Sequence, residues 1–123
     1  MRIFKNTWFT RFAGKEGITD SELRELVDQL EAEQADANLG GDVYKIRIAR
    51  SGEGKSGGYR VIVFFKSEDK TFYHYAYPKS YRGNISEKEL RSFKKLAKRY
   101  LAMTNEQLTD AVKIRELIEI KGD

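Results

Sequence analysis

The chemistry this chain can do rests on five cations, Lys45, Arg47, Arg60, Lys79 and Arg82. Lys45 and Arg47 are two apart in an alternating run, so on a strand they point the same way. Arg60 opens the next apolar run. Lys79 and Arg82 follow the third, in Pro78-Lys-Ser-Tyr-Arg-Gly-Asn84. In an antiparallel meander these side chains converge at one edge of the sheet. Cations around such a hollow need an anion, and a guanidinium fork matches the oxygens of a phosphate. Arg50 and Lys55 add to the same basic run, and Tyr59 is the aromatic residue next to Arg60. The plainer alternative is a set of unconnected surface cations.

Charge is segregated along the chain. Segment 44–60 carries Lys45, Arg47, Arg50, Lys55 and Arg60 against Glu53 alone. Segment 20–42 carries Asp20, Glu22, Glu25, Asp28, Glu31, Glu33, Asp36 and Asp42 against Arg24. The net charge of +4 is a modest claim on nucleic acid; the dipolar distribution is a better one. Cysteine is absent and His74 is the single histidine. That excludes disulfides, thiolate or multi-histidine metal sites, iron–sulfur clusters and a cysteine nucleophile. No metal or other cofactor is expected. With 40% hydrophobic and 34% charged residues, the 123-residue chain is of the globular class. No run approaches the ~18–20 apolar residues of a membrane span. The start, MRIFKNTWFTRF, shows no signal-peptide pattern, so a cytoplasmic protein without membrane contact is expected.

The elements that must position these residues can be read from local signals. Arg2–Phe4 is a short strand and 6–15 a short helix. Thr19-Asp-Ser-Glu22 is a capping box, followed by Leu23, Leu26, Val27 and Leu30 at helical spacing, for a helix to about Ala35. Val43 to Ala49 alternates as a strand, with Val43, Lys45 and Arg47 on one face and Tyr44, Ile46 and Ile48 on the other. Gly52 to Gly58 reads as a loop. Tyr59–Lys66 and Thr71–Tyr77 are strands joined by the turn Ser67–Lys70, and Pro78 closes the second. Ser86-Glu-Lys-Glu89 and Thr104-Asn-Glu-Gln107 are two more capping boxes. The tail, 116–121, is a last strand or an extension of the preceding helix. The order predicts an α+β fold: an antiparallel central sheet with its helices on one side. Residues 1–103 form the main domain and 104–123 a helical extension of it.

Two motifs mislead by their letters. Gly52-Glu-Gly-Lys-Ser-Gly57 spells a dinucleotide fingerprint and nearly a phosphate-binding loop. Both motifs require a helix directly after the glycines, whereas Tyr59-Arg-Val-Ile-Val-Phe-Phe65 reads as a strand; the phosphate-binding loop also needs a glycine where Ala49 stands. His74 alternates with Phe72 and Ala76, which argues for packing more than for catalysis. Tyr73, Tyr75 and Tyr77 share a face by alternation and read as core, with base stacking as the alternative.

The runs YKIRIARSGEGKSGGYRVIVFF, FYHYAYPKSYRGNIS and ELRSFKKLAKRYL resemble the RelE/ParE superfamily of toxins from bacterial type II toxin–antitoxin systems, closest to its HigB-like branch. The similarity spans most of 1–103, and the loop GxGKxGGxR is its most specific part. The resemblance implies a RelE-like fold and a ribosome-dependent, metal-independent endoribonuclease that cuts mRNA in the ribosomal A site. It implies a cognate antitoxin as partner. Lys45 and Arg47 match the paired basic residues before the loop, Arg60 the arginine of the Gly-Tyr-Arg step, and Lys79 the lysine after the last central strand. RelE proper has an arginine where this chain has Ser80, and a later tyrosine where it has Ser86; Tyr81 and Arg82 are the residues placed to substitute. Arg47 and Arg60 are then the phosphate holders and Lys45 the base, its amine freed by neighbouring arginines. On the same implied mechanism Lys79, Tyr81 and Arg82 are candidates for the leaving-group proton or for substrate contacts, Arg50 and Lys55 for contacts to the RNA, and Tyr59 for stacking on a base. A ParE-like gyrase inhibitor without nuclease activity and a non-catalytic RNA-binding domain are the competing readings.

Overall fold

The structure is a computed structural model that describes residues 1–50 and 54–122, with side chains described for 1–49 and 58–122. Six strands and four helices follow the chain as β1 (Arg2–Asn6), α1 (Thr7–Glu16), α2 (Asp20–Glu31), β2 (Ala37–Gly40), β3 (Val43–Arg50), β4 (Gly54–Lys66), β5 (Lys70–Pro78), α3 (Glu87–Leu101), α4 (Asn105–Lys113) and β6 (Leu117–Ile120). They form one sheet in the order β2-β3-β4-β5-β1-β6. The α+β class and the β3-β4-β5 meander are as expected. The sheet is antiparallel except where β1 lies parallel to β5.

The expectation of helices on one side is corrected: both faces are covered. α1 and α2 pack Phe9, Ala13, Leu23, Leu26, Val27 and Leu30 against Ile46, Ile48, Val61, Val63 and Tyr73. α3 and α4 pack Ala97, Leu101, Leu108 and Ala111 against Val43, Ile62, Phe64 and Tyr77. The central strands are apolar on both faces, and such strands must be buried on both. Ile62, Val63 and Phe64, consecutive and fully buried, carry that signal.

Local chemistry sets the helix starts. All three capping boxes form: Thr19 with Glu22, Ser86 with Glu89, and Thr104 with Gln107. Asn6 caps α1 by accepting from the Phe9 N–H at 2.6 Å. α2 ends at Glu31, four residues before Ala35, and the chain then forms the edge strand β2. The expected loop at 52–58 is shorter: β4 begins at Gly54. The tail resolves to a strand, β6, paired antiparallel with β1.

Candidate functional site

The register of β3, β4 and β5 builds the site. Arg47 pairs with Arg60, and Arg60 pairs with Tyr77, so the three lie in a row across three strands. Residues opposite one another in an antiparallel pair point to the same face. That face is the α3 side, since Arg60 alternates with Ile62 and Phe64, which pack there. Lys45, paired with Ile62, is next along β3 on the same face. Arg82, from the segment after β5, lies over the Tyr77 ring with its guanidinium carbon 5.6 Å from the centroid.

Carboxylates hold two of these arginines. Arg82 pairs bidentately with Glu89, at 2.9 Å from Nη1 and 2.5 Å from Nη2. Glu89 is also the capping residue of α3 and accepts from the Ser86 N–H at 2.8 Å. The Arg82 hydrogen bonds, with the Ser86 backbone bond second, hold the Glu89 carboxyl down at about 2. The same contact raises Arg82 above its ordinary value. Arg47 is turned outward. Its Nε donates to Asp36 at 3.0 Å, and its backbone N–H donates to the other oxygen of that carboxylate. Asp36, just before β2 begins, so extends the edge ladder. Arg47 there lines a cavity of about 280 Å³ with Glu22, Glu25 and Asp36. Sequence reasoning placed no carboxylate in the constellation; Asp36 and Glu89 are both in it.

Between these held arginines lie two unsatisfied groups. Arg60 Nη1 and the Tyr77 hydroxyl are the buried side-chain polar atoms without a hydrogen-bond partner among the described residues. They belong to directly paired residues. Burial pushes the Tyr77 hydroxyl up in pKa, and the charges of Arg60 and Arg82 offset part of that rise. Tyr77 is therefore a hydroxyl donor in an electropositive setting. Native structures rarely leave such groups unpaired.

Other expected site residues fall elsewhere. Lys79 and Tyr81 are exposed, with Lys79 tied through its N–H to the Gly58 carbonyl at 3.2 Å. Tyr59, expected to stack on a base, is only 3% exposed and faces the α1 side, edge-on to Phe12 at 5.3 Å. One step of alternation from Arg60 puts it on the wrong face. The side chains of Arg50 and Lys55 lie outside the described residues.

His74 is packed. Its ring lies 4.8 Å from Phe64 and 5.0 Å from Phe93, and Asn6 Nδ2 donates to Nδ1 at 3.2 Å. Burial lowers its pKa to about 4, so it is neutral at pH 7. It also corrects the tyrosine face. The pairing steps from Ile62↔Tyr75 to Val63↔Tyr73, leaving His74 as a bulge. Tyr73 therefore faces α2, donating to the Leu23 carbonyl at 2.5 Å, while Tyr75 and Tyr77 face the other way. Plain alternation could not find Tyr77 as an Arg60 neighbour, because that neighbourhood depends on cross-strand register.

The sequence matches the family described as RelE toxin of the RelE/RelB toxin–antitoxin system, over residues 1–120. The chain belongs to the RelE toxin family. RelE toxins are the toxic half of a toxin–antitoxin pair, so an antitoxin is the partner this family implies. No protein of curated function matches the sequence. Within the RelE frame, the row Arg47–Arg60–Tyr77 occupies the central strands, and the capped start of α3 supplies the anchor for Arg82. Among the described residues no helix is long and apolar enough to cross a membrane, and no group of three His, Cys, Asp or Glu is set to hold a metal ion.

Proposed function

We propose that this RelE toxin, of the HigB-like branch by its GxGKxGGxR loop, is an endoribonuclease that cuts mRNA in the ribosomal A site. The observation that carries the reading is the pair of unpartnered buried donors, Arg60 Nη1 and the Tyr77 hydroxyl, in a row of cations. We read the pair as the place of a phosphodiester oxygen, which both would hydrogen-bond once the side chains above them move aside. The reaction follows from RNA's own chemistry. The 2′-oxygen attacks the adjacent phosphorus, giving up its proton; the P–O5′ bond breaks, and the 5′-oxygen takes a proton. The products are a 2′,3′-cyclic phosphate and a 5′-hydroxyl.

Arg60 and the Tyr77 hydroxyl stabilise the charge that builds on the non-bridging oxygens. Arg82 joins them by exchanging Glu89 for phosphate, and Arg47 by exchanging Asp36. Lys45, on the same face, is the base for the 2′-hydroxyl. Lys79 and Tyr81, exposed just after β5, are left for the leaving oxygen and the strand. The ribosome holds the mRNA so that the reacting atoms align, which supplies the orientation an open site lacks.

The test is to add the purified chain to ribosomes programmed with a defined mRNA and map the new ends. Cuts within the A-site codon that vanish without ribosomes are expected. Cuts in free RNA overturn the ribosome dependence. Intact mRNA, with gyrase supercoiling lost, replaces the reading with a ParE-like one.

A further inference from the structure

The described residues expose four large hydrophobics, Met1, Trp8, Tyr81 and Ile114, and Trp8 stands beside the site. It lies in the first turn of α1 and is 44% exposed. α1 commits its core face to Phe9 and Ala13, and Trp8 is turned away from that face. Its position is set by the sheet. The last pair between β1 and β5 is Lys5 with Tyr73, so the flank of β5 beyond Tyr73 has no strand beside it among the described residues. α1 begins at Thr7 and fills that flank. The Trp8 ring stacks on Phe12 at 5.3 Å with an interplanar angle of 11°, and meets Tyr75 at 4.9 Å.

Tyr75 links this ring to the phosphate row. Its ring is 5.9 Å from that of Tyr77, and its hydroxyl lies beside the Arg82 guanidinium. One aromatic ring therefore separates an exposed indole from the residues that would hold a phosphate. Scattered exposed apolar side chains need no explanation. A tryptophan continuous with a cationic row is a different case: it is the arrangement with which proteins hold single-stranded nucleic acid, cations on the backbone and a flat ring under a base.

We infer that Trp8 is a base-stacking platform for a nucleotide flanking the phosphate at Arg60 and Arg82. The inference rests on the reading that this site takes an RNA phosphate. Trp8 is then a positioning residue: it fixes where the strand lies and favours bases that stack well, purines first.

Trp8 is the only tryptophan, so the intrinsic emission of the full chain reports on it directly. The probe is a short single-stranded RNA with its 2′-hydroxyls methylated, which has no free 2′-oxygen to attack and so is not cut. Quenching on titration is expected, and the same oligonucleotide made abasic should bind with little quenching. Trp8→Leu keeps an apolar cover on Phe12 and Tyr75 but has no flat ring, and about tenfold weaker binding is expected. Trp8→Phe should stay within about threefold of the parent. Emission indifferent to the bases, absence of binding, or a Trp8→Leu affinity equal to the parent's overturns the proposal, the last leaving the ring as a surface for a protein. Cleavage on programmed ribosomes separates the two readings. A parent that quenches but does not cut refutes the nuclease and keeps the platform. A Trp8→Leu protein that cuts at the parent's rate and base preference refutes the platform and keeps the nuclease.

Discussion

Replacing Arg60 by Met should stabilise the fold and disable the toxin at once. Arg60 is half-buried, Nη1 has no partner, and Arg47 stands directly opposite on β3. An unsatisfied buried donor costs about 1–3 kcal/mol. Met keeps the length of the apolar stem and removes that cost. Because Arg60 retains some solvent access, a net gain of about 1 kcal/mol is expected, which for a chain of this size raises Tm by about 3–5 °C. On the proposed nuclease reading the same change removes a charged donor from the developing phosphate charge, and loss of one such donor costs about 100- to 1,000-fold in rate. Arg60→Lys keeps the charge without the fork, and should lose activity without the gain in stability. The assays are thermal melting and the rate of mRNA cleavage on programmed ribosomes, with growth arrest on expression as the readout in cells. A Met variant that melts several degrees lower, or that cuts at the parental rate, refutes the reasoning: the first means that Arg60 is a satisfied structural residue, the second that it meets no reacting phosphate.

Glu89 has a carboxyl held at about 2, below its ordinary 4.5, chiefly by Arg82, so its contribution to stability is complete above pH 4.5 and lost as pH falls through 2. Glu89→Gln should flatten that acid limb in pH-dependent melting, and free Arg82 to raise affinity for short oligonucleotides. His74, lowered by burial to about 4 from 6.5, takes up its proton more readily when unfolded; stability should be full above pH 6.5 and fall as pH drops towards 4, and His74→Phe should remove that slope. The rate of cleavage should show no inflection near pH 6.5 that His74→Phe abolishes, because His74 lies in the packing between Phe64 and Phe93. Gly58→Ala would put a Cβ 2.1 Å from the Ile48 carbonyl oxygen, a backbone atom that cannot yield without shifting β3. A loss of about 2 kcal/mol or more in denaturant unfolding is expected, with a parallel loss of cleavage as Arg60, two residues on, moves.

The elements and the inventory of the site are encoded locally. Helix starts were legible because a capping box closes within four residues, and all three of those seen in the letters form. The faces of β3 and β4 were legible because alternation is fixed by the backbone, which is why Lys45, Arg47 and Arg60 share a side. Long-range packing chose which of these meet. The His74 bulge re-aimed Tyr75 and Tyr77 through a pairing that no local signal encodes. β2 and its neighbour Asp36 captured Arg47, and the turn after β5 brought Arg82 back onto Glu89. Covering both faces of the sheet was likewise a matter of packing, since a run such as Val61 to Phe65 says that it must be buried without saying by which helices. Period and capping are short-range steric and hydrogen-bond effects written in adjacent residues; register, bulges and ion pairs are set by whichever distant partners the folded chain brings into contact.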